Sequence, residues 1–265
     1  MNPYSSIPRI PYDILTYVID QLASEDSYDE LGACSQTCRM LLHPCRVHIF
    51  SDVFIDEDSA PEFVALLKNN STIAQYVQEL TSYHLDYSLD ESEDLANTFL
   101  LLNNVKKLNF IDNNGSWEGL PPYIQHAFAH LLSSPSMTSV SICYVRDFPV
   151  ALLSSCSTLK HLSISGCHLV SSEACDNITG APPQLLSLKF SLKCPDSSIA
   201  EGNLSKMKWT SGIPMFDFSC LRSLSAAATD EWQEKNFADI LCLTPKLHHL
   251  TCSGIIMHLF EYPSY

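Results

Sequence analysis

Four side chains able to bind a soft divalent ion crowd into one short stretch: Cys34, Cys38, His43 and Cys45. Structural zinc is held by thiolates and imidazoles set in close pairs on turns. Here Cys34 and Cys38 stand four apart in an apolar helical pattern, a spacing that puts both on the packed face of a helix. Cys167-His168 has the residue types of a thiol–imidazole dyad, which works only when the base reaches the nucleophile. Cys167 falls at the buried position of a repeating pattern, and adjacent strand residues point to opposite faces. His248 and His249 alternate in the same way and are not expected to share an ion. No Gly-x-Ser-x-Gly elbow occurs, and eight glycines leave no glycine-rich phosphate loop. The acidic runs Asp56-Glu57-Asp58 and Asp90-Glu91-Ser92-Glu93-Asp94 read as solvated caps in polar connections. None of these groups assembles a reaction centre. The expectation is a binding protein with no catalytic residue, metal or cofactor.

Charge narrows the partners. The chain carries a formal net charge of −15. Residues 1–100 hold 17 Asp and Glu against 4 Lys and Arg, and residues 101–265 hold 13 against 11. The first segment therefore balances at −13 and the second at −2. An acidic N-terminal third repels phosphate backbones and anionic headgroups, so neither nucleic acid nor a membrane surface is an expected partner; a basic protein is. No run of apolar residues approaches the roughly 20 that a membrane span needs. Eleven cysteines with no charged-then-apolar leader at Met1 imply reduced thiols and a cytoplasmic or nuclear location.

The elements that must carry these residues begin with short helices. Pro11 suits a first helical turn, and Ile14, Leu15, Val18, Ile19 and Leu22 follow on one stripe. Ser24 to Asp29 breaks the pattern. Leu31, Cys34, Cys38, Leu41 and Leu42 define a second stripe closed by Pro44, and Cys45 to Phe50 a third short helix. Three helices in some forty residues cannot bury this much apolar surface among themselves, which makes the remainder a candidate protein interface.

Ile10-Pro11-Tyr12-Asp13-Ile14-Leu15, then Ile19 and Leu22, then Leu31-Gly32-Ala33-Cys34-Ser35 and Cys38-Arg39, then Ile49-Phe50 resemble the F-box in the form common among mushroom-forming fungi. The likeness covers about forty residues. It departs at Thr37, where the family usually has an aliphatic residue, and at Leu41, where it usually has tryptophan. The resemblance implies that the helices dock on the SKP-type adaptor of a cullin–RING ubiquitin ligase. Pro11, Ile14, Leu15, Ile19, Leu31, Cys34 and Cys38 would be the contacts or their supports.

Beyond residue 52 an apolar-x-x-apolar-x pattern recurs seven times, starting at Val77, Val105, Met137, Leu159, Leu185, Leu221 and Leu247. One unit, Leu159-x-x-Leu162-x-Ile164-x-x-Cys167-x-Leu169, fits the whole leucine-rich repeat pattern; the others keep its strand half. Helical stretches are expected at Leu95 to Leu102, Pro121 to Leu132, Phe148 to Cys156 and Trp232 to Leu243. The interval from Lys193 to Phe218 reads as a loop, with Lys206, Lys208 and Trp209 as surface anchors. Met257 to Phe260 leaves a brief tail that caps an open stack poorly, as a truncated product would.

The expected fold is therefore α/β: an F-box-like three-helix module over residues 1–51, then an irregular leucine-rich-repeat solenoid over 52–265, a curved parallel sheet with outer helices. The expected function is a substrate receptor of an SKP–cullin–F-box ligase, which holds a protein target without reacting with it. Strand residues flanking the ladder would touch that target, among them Lys107, Asn109, His161, Lys189 and His249. The alternative is a repeat scaffold outside any ligase, its helices serving only as a cap.

Overall fold

The computed structural model describes residues 10–84, 89–112, 115–170, 181–191, 204, 208, 213–227 and 231–253, with the backbone alone for 89–92 and 231–236. Three helices open the chain: α1 (Tyr12–Ser24), α2 (Tyr28–Thr37) and α3 (Arg39–Ile49). Pro11 precedes α1 in an extended conformation (φ −55°, ψ 145°) that needs no N–H from the proline. The break between the second and third helices lies at Cys38, whose backbone is extended (φ −157°, ψ 156°). Pro44 does not end a helix, as its type suggested: it lies inside α3. Its ring is buried, and the carbonyl it deprives of a donor belongs to exposed Met40. Ile19, Leu31 and Cys45 form the centre of this helical cluster, with Leu22, Ala23, Cys34, Leu41 and Ile49 packed around them.

The rest is an α/β arrangement built on eight parallel strands. They are β1 (Asp52–Ile55), β2 (Glu79–Tyr83), β3 (Lys107–Ile111), β4 (Ser139–Cys143), β6 (His161–Ser165), β8 (Ser187–Ser191), β9 (Ser223–Ala227) and β10 (His249–Ser253). They lie in the sheet in chain order. The two-residue strands β5 (Phe148–Pro149) and β7 (Leu169–Val170) pair beside it. Returning segments include α4 (Ala60–Asn69), α5 (Leu89–Phe99), α6 (Pro122–Ser133), α7 (Val150–Ser154) and α8 (Glu231–Cys242). All seven apolar-x-x-apolar segments supply a strand, and Asp52–Ile55 supplies an eighth. Helix α4 went unread in the sequence, although Phe63, Val64 and Leu67 bury one of its faces.

The register makes the core a set of rows. Val53, Leu80, Leu108, Val140, Leu162, Leu188, Leu224 and Leu250 stand side by side across the sheet. Ile55, Ser82, Phe110, Ile142, Ile164, Phe190, Ala226 and Cys252 form the next row. Ser82 is its one hydroxyl, fully buried and without a hydrogen-bond partner among the described residues. Phe128 and Trp117 close over Phe110, with ring centroids 4.5 Å and 6.4 Å from it.

A common joint recurs at the entry of seven strands. Two successive N–H groups donate to one carbonyl of the preceding strand's lead-in: Lys106 and Lys107 to Gln78, Thr138 and Ser139 to Lys106, Lys160 and His161 to Thr138. The same joint serves β2, β8, β9 and β10. At the far ends, His84, Tyr144 and Gly166 have positive φ (39°, 60° and 64°) and extend the ladder through N–H bonds to Ile111, Ser165 and Ser191. Gly166 is glycine for two reasons. Its φ suits no side chain well, and a Cβ there would stand 2.6 Å from the Tyr144 ring.

Candidate interaction surfaces

Two exposed surfaces carry the residues singled out from sequence. The first lies on α1. Ile19, Leu22 and Ala23, at offsets of 0, 3 and 4, face the helical cluster, and half-buried Leu15 lies one turn before Ile19 on the same stripe. Ile14, Tyr17 and Val18 lie on a second stripe about 100° round the helix and face outward. Ile14 is 51% exposed and Val18 47%. Tyr12, Tyr28 and Met40 add further exposed apolar area. The single stripe expected from the sequence is thus two stripes, and only one is packed.

The expected adaptor contacts divide accordingly. Pro11, Ile14 and Cys38 are exposed, Leu15 and Cys34 half-buried, and Ile19 and Leu31 fully buried. Ile19 and Leu31 lie beneath this surface, in the position of supports, and Tyr17 and Met40 add exposed apolar area that the inward period did not mark. The seam is held in place from behind. His48 Nε2 lies 2.8 Å from Asp20 Oδ1, joining α3 to α1, and His43 Nδ1 lies 3.0 Å from the Tyr76 hydroxyl, joining α3 to the 3₁₀ turn Ser71–Tyr76. Phe50 then packs on the core of the sheet region. Behind α3 a cleft of about 370 Å³ remains, lined by Leu42, Arg46, Ile49, Leu66, Asn70 and Ile73 among others.

The second surface is the exposed face of the sheet, made by the first, third and fifth residues of each strand. Lys107, His161, Lys189 and His249 are exposed there and Asn109 half-buried, so all five expected target contacts fall on one face. They are dispersed across it. Lys107 and Asn109 are already engaged: Lys107 Nζ is 2.9 Å from Glu79 Oε2, and Asn109 Nδ2 donates to Thr81 Oγ1 at 3.0 Å. That bond to Glu79 raises the ammonium pKa of Lys107. Asp52 stands beside Glu79 in register; burial first, then the Glu79 charge, pushes its carboxyl above the usual range. Lys206 and Trp209 lie outside the described residues, as does the tail from 254; Lys208 is exposed and bridges to Pro214.

The cysteine and histidine groups take ordinary structural positions. Burial pushes the Cys45 thiol up, and neighbouring Cys34 and Cys38 push it further. Among the described residues no three His, Cys, Asp or Glu side chains are arranged to hold a metal ion. Cys167 and His168 do not engage each other. Cys167 Sγ reaches the carbonyls of Ile142 and Ser165, both at 3.3 Å, and burial raises its thiol to about 11. His168 Nδ1 pairs with Asp147 Oδ1 at 2.7 Å. The two residues sit in the turn between β6 and β7, so turn geometry and not strand alternation separates them. Among the described residues no helix is long and apolar enough to cross a membrane.

Compared with models of known protein families and with curated proteins, the chain has no match.

Proposed function

We propose that the chain is a substrate receptor of an SKP–cullin–F-box type ubiquitin ligase, with an F-box-like module at residues 1–51 and an irregular leucine-rich-repeat solenoid over 52–265. One observation carries the reading: α1 has a second apolar stripe, Ile14, Tyr17 and Val18, that stands exposed among the described residues. A short helix exposing such a stripe in water is stabilised when another polypeptide covers it. The motif from Ile10 to Phe50 names the SKP-type adaptor as that polypeptide. Support for the repeat reading comes from the strand-entry joint, used seven times with the same donors and acceptors. The sheet would hold a target while the helices hold the ligase, and the rate gain would come from effective concentration with no bond made on this chain.

Co-expression with an SKP-type adaptor tests this. The wild type should retain the adaptor through size exclusion, and Ile14→Asp with Val18→Asp should lose it while keeping its circular dichroism. An adaptor that fails to follow the wild type sinks the proposal. Ile19→Asp is the wrong probe, since a charge at that buried centre would unfold the helices themselves. The rival, a scaffold whose helices only cap the sheet, draws on Phe50 and the His43–Tyr76 contact. It predicts no adaptor binding by either protein.

A further inference from the structure

The exposed sheet face is not uniform, and its one apolar corner differs from the sites expected to bind. Across β4 to β9 most outward positions carry small side chains, among them Ser139, Ser141, Ser163, Ser187, Ser223 and Ser225, with His161 and Lys189 the long ones. At β1 and β2 they include two rings. Phe54 is 55% exposed and Tyr83 37%, and their centroids lie 6.1 Å apart at an interplanar angle of 26°. Half-buried Ile111 continues this patch beside Tyr83. Asp52 lies two residues from Phe54 on the same face. Among the described residues Asp52 forms no ion pair: the Lys107 ammonium, whose charge reaches it, bonds Glu79 instead. The corner thus offers exposed aromatic area beside a carboxylate without a direct cationic partner among the described residues, within a segment whose balance is −13.

We propose that this corner, built on Phe54, Tyr83 and Asp52, seats a target segment that places a lysine or arginine beside an aliphatic or aromatic residue. The cation completes Asp52 and lies against a ring, where a guanidinium or ammonium is attracted to the π-face. The apolar neighbour covers Phe54 and Tyr83. The acidic field steers such a segment in and repels an acidic one. This inference rests on the reading of the sheet face as the target surface, but not on adaptor binding.

The test is panning a phage-displayed random peptide library against the full chain, followed by fluorescence anisotropy with the enriched peptides. Enriched sequences should place Lys or Arg next to an apolar residue. Asp52→Asn and Phe54→Ser should each weaken them about tenfold or more, while Ser187→Ala and Ser223→Ala leave affinity within twofold. Both weakening substitutions are on the surface, so unchanged melting and retained adaptor binding separate a lost site from a lost fold or a lost ligase role. Four outcomes overturn the inference: no enrichment, enrichment without cationic residues, affinity that survives both substitutions, or a wild-type dimer that Phe54→Ser dissociates. The last assigns the corner to a second copy of the chain.

Discussion

Cys167 shows what one side chain contributes once its surroundings are known. Its sulfur is buried between two carbonyls, and desolvation holds the thiol protonated to about pH 11, against 9.0 for a thiol in water. The sign follows from proton binding. Between pH 9 and 11 the unfolded chain releases the proton and the folded chain keeps it, so the unfolded state binds fewer protons and stability falls as pH rises. Over that window the loss attributable to Cys167 is about 2 to 3 kcal/mol. Cys167→Ala should therefore be the less stable protein at pH 7, because it leaves a small cavity, and should lose less stability than the wild type towards pH 11. Urea unfolding under reducing conditions at several pH values measures this. Parallel pH curves for the two proteins would show that the thiol is not held as described.

Elements settle what periodicity left open. In α1 the residues Ile14, Leu15, Val18, Ile19 and Leu22 are all apolar, so a helical period finds the helix but cannot separate the packed side from the free one. Only the position of α3, fixed by the His48–Asp20 contact, decides that Ile19 is inside and Val18 outside. The small cluster around Ile19, Leu31 and Cys45 is separate from the large core of the sheet region. Ile19→Ala should cost about 2 to 4 kcal/mol, and the cost should appear as faster hydrogen exchange across residues 12–49. Amides of β3 to β6 should keep their protection. Loss of protection throughout would show that the helices and the sheet unfold together. Seven strands were legible because each repeats one apolar spacing, and the row led by Leu80 and Leu108 takes an aliphatic side chain from every one of them. Helix α4 was not, since its burial of Phe63, Val64 and Leu67 follows no repeat. Pro44 misled for a related reason: its cost falls on a carbonyl at the water-facing side of α3, where solvent replaces the lost donor. The interaction surfaces were legible in part. The sheet face was found through residues flanking the ladder, but Phe54 was overlooked because β1 lies ahead of the first recognised repeat, and Tyr83 because it follows the apolar-x-x-apolar-x segment that marks β2.

At the scale of the whole molecule, chain order in the sheet makes stability a matter of neighbours. Each of the eight strands pairs only with the strands flanking it in the sheet order. Towards the β10 edge a residue's burial follows whether it has a row-mate on both sides. Leu162 has Val140 and Leu188, and Leu224 has Leu188 and Leu250; Leu224 is 1% exposed. Leu250 has only Leu224 within the described sheet and is 49% exposed. The same truncation should therefore cost different amounts along one row. Leu162→Ala should destabilise by about 3 kcal/mol or more, as a buried leucine does when its cavity cannot collapse. Leu250→Ala should cost less than about 1 kcal/mol. Guanidinium unfolding of the two variants gives the difference directly. Equal costs would mean that something covers the β10 side in solution. A wild type whose stability also rises with protein concentration would identify that cover as a second copy of the chain. The opposite end bears the acidic excess of the first hundred residues, so two copies can approach through β10 with far less charge repulsion than through β1.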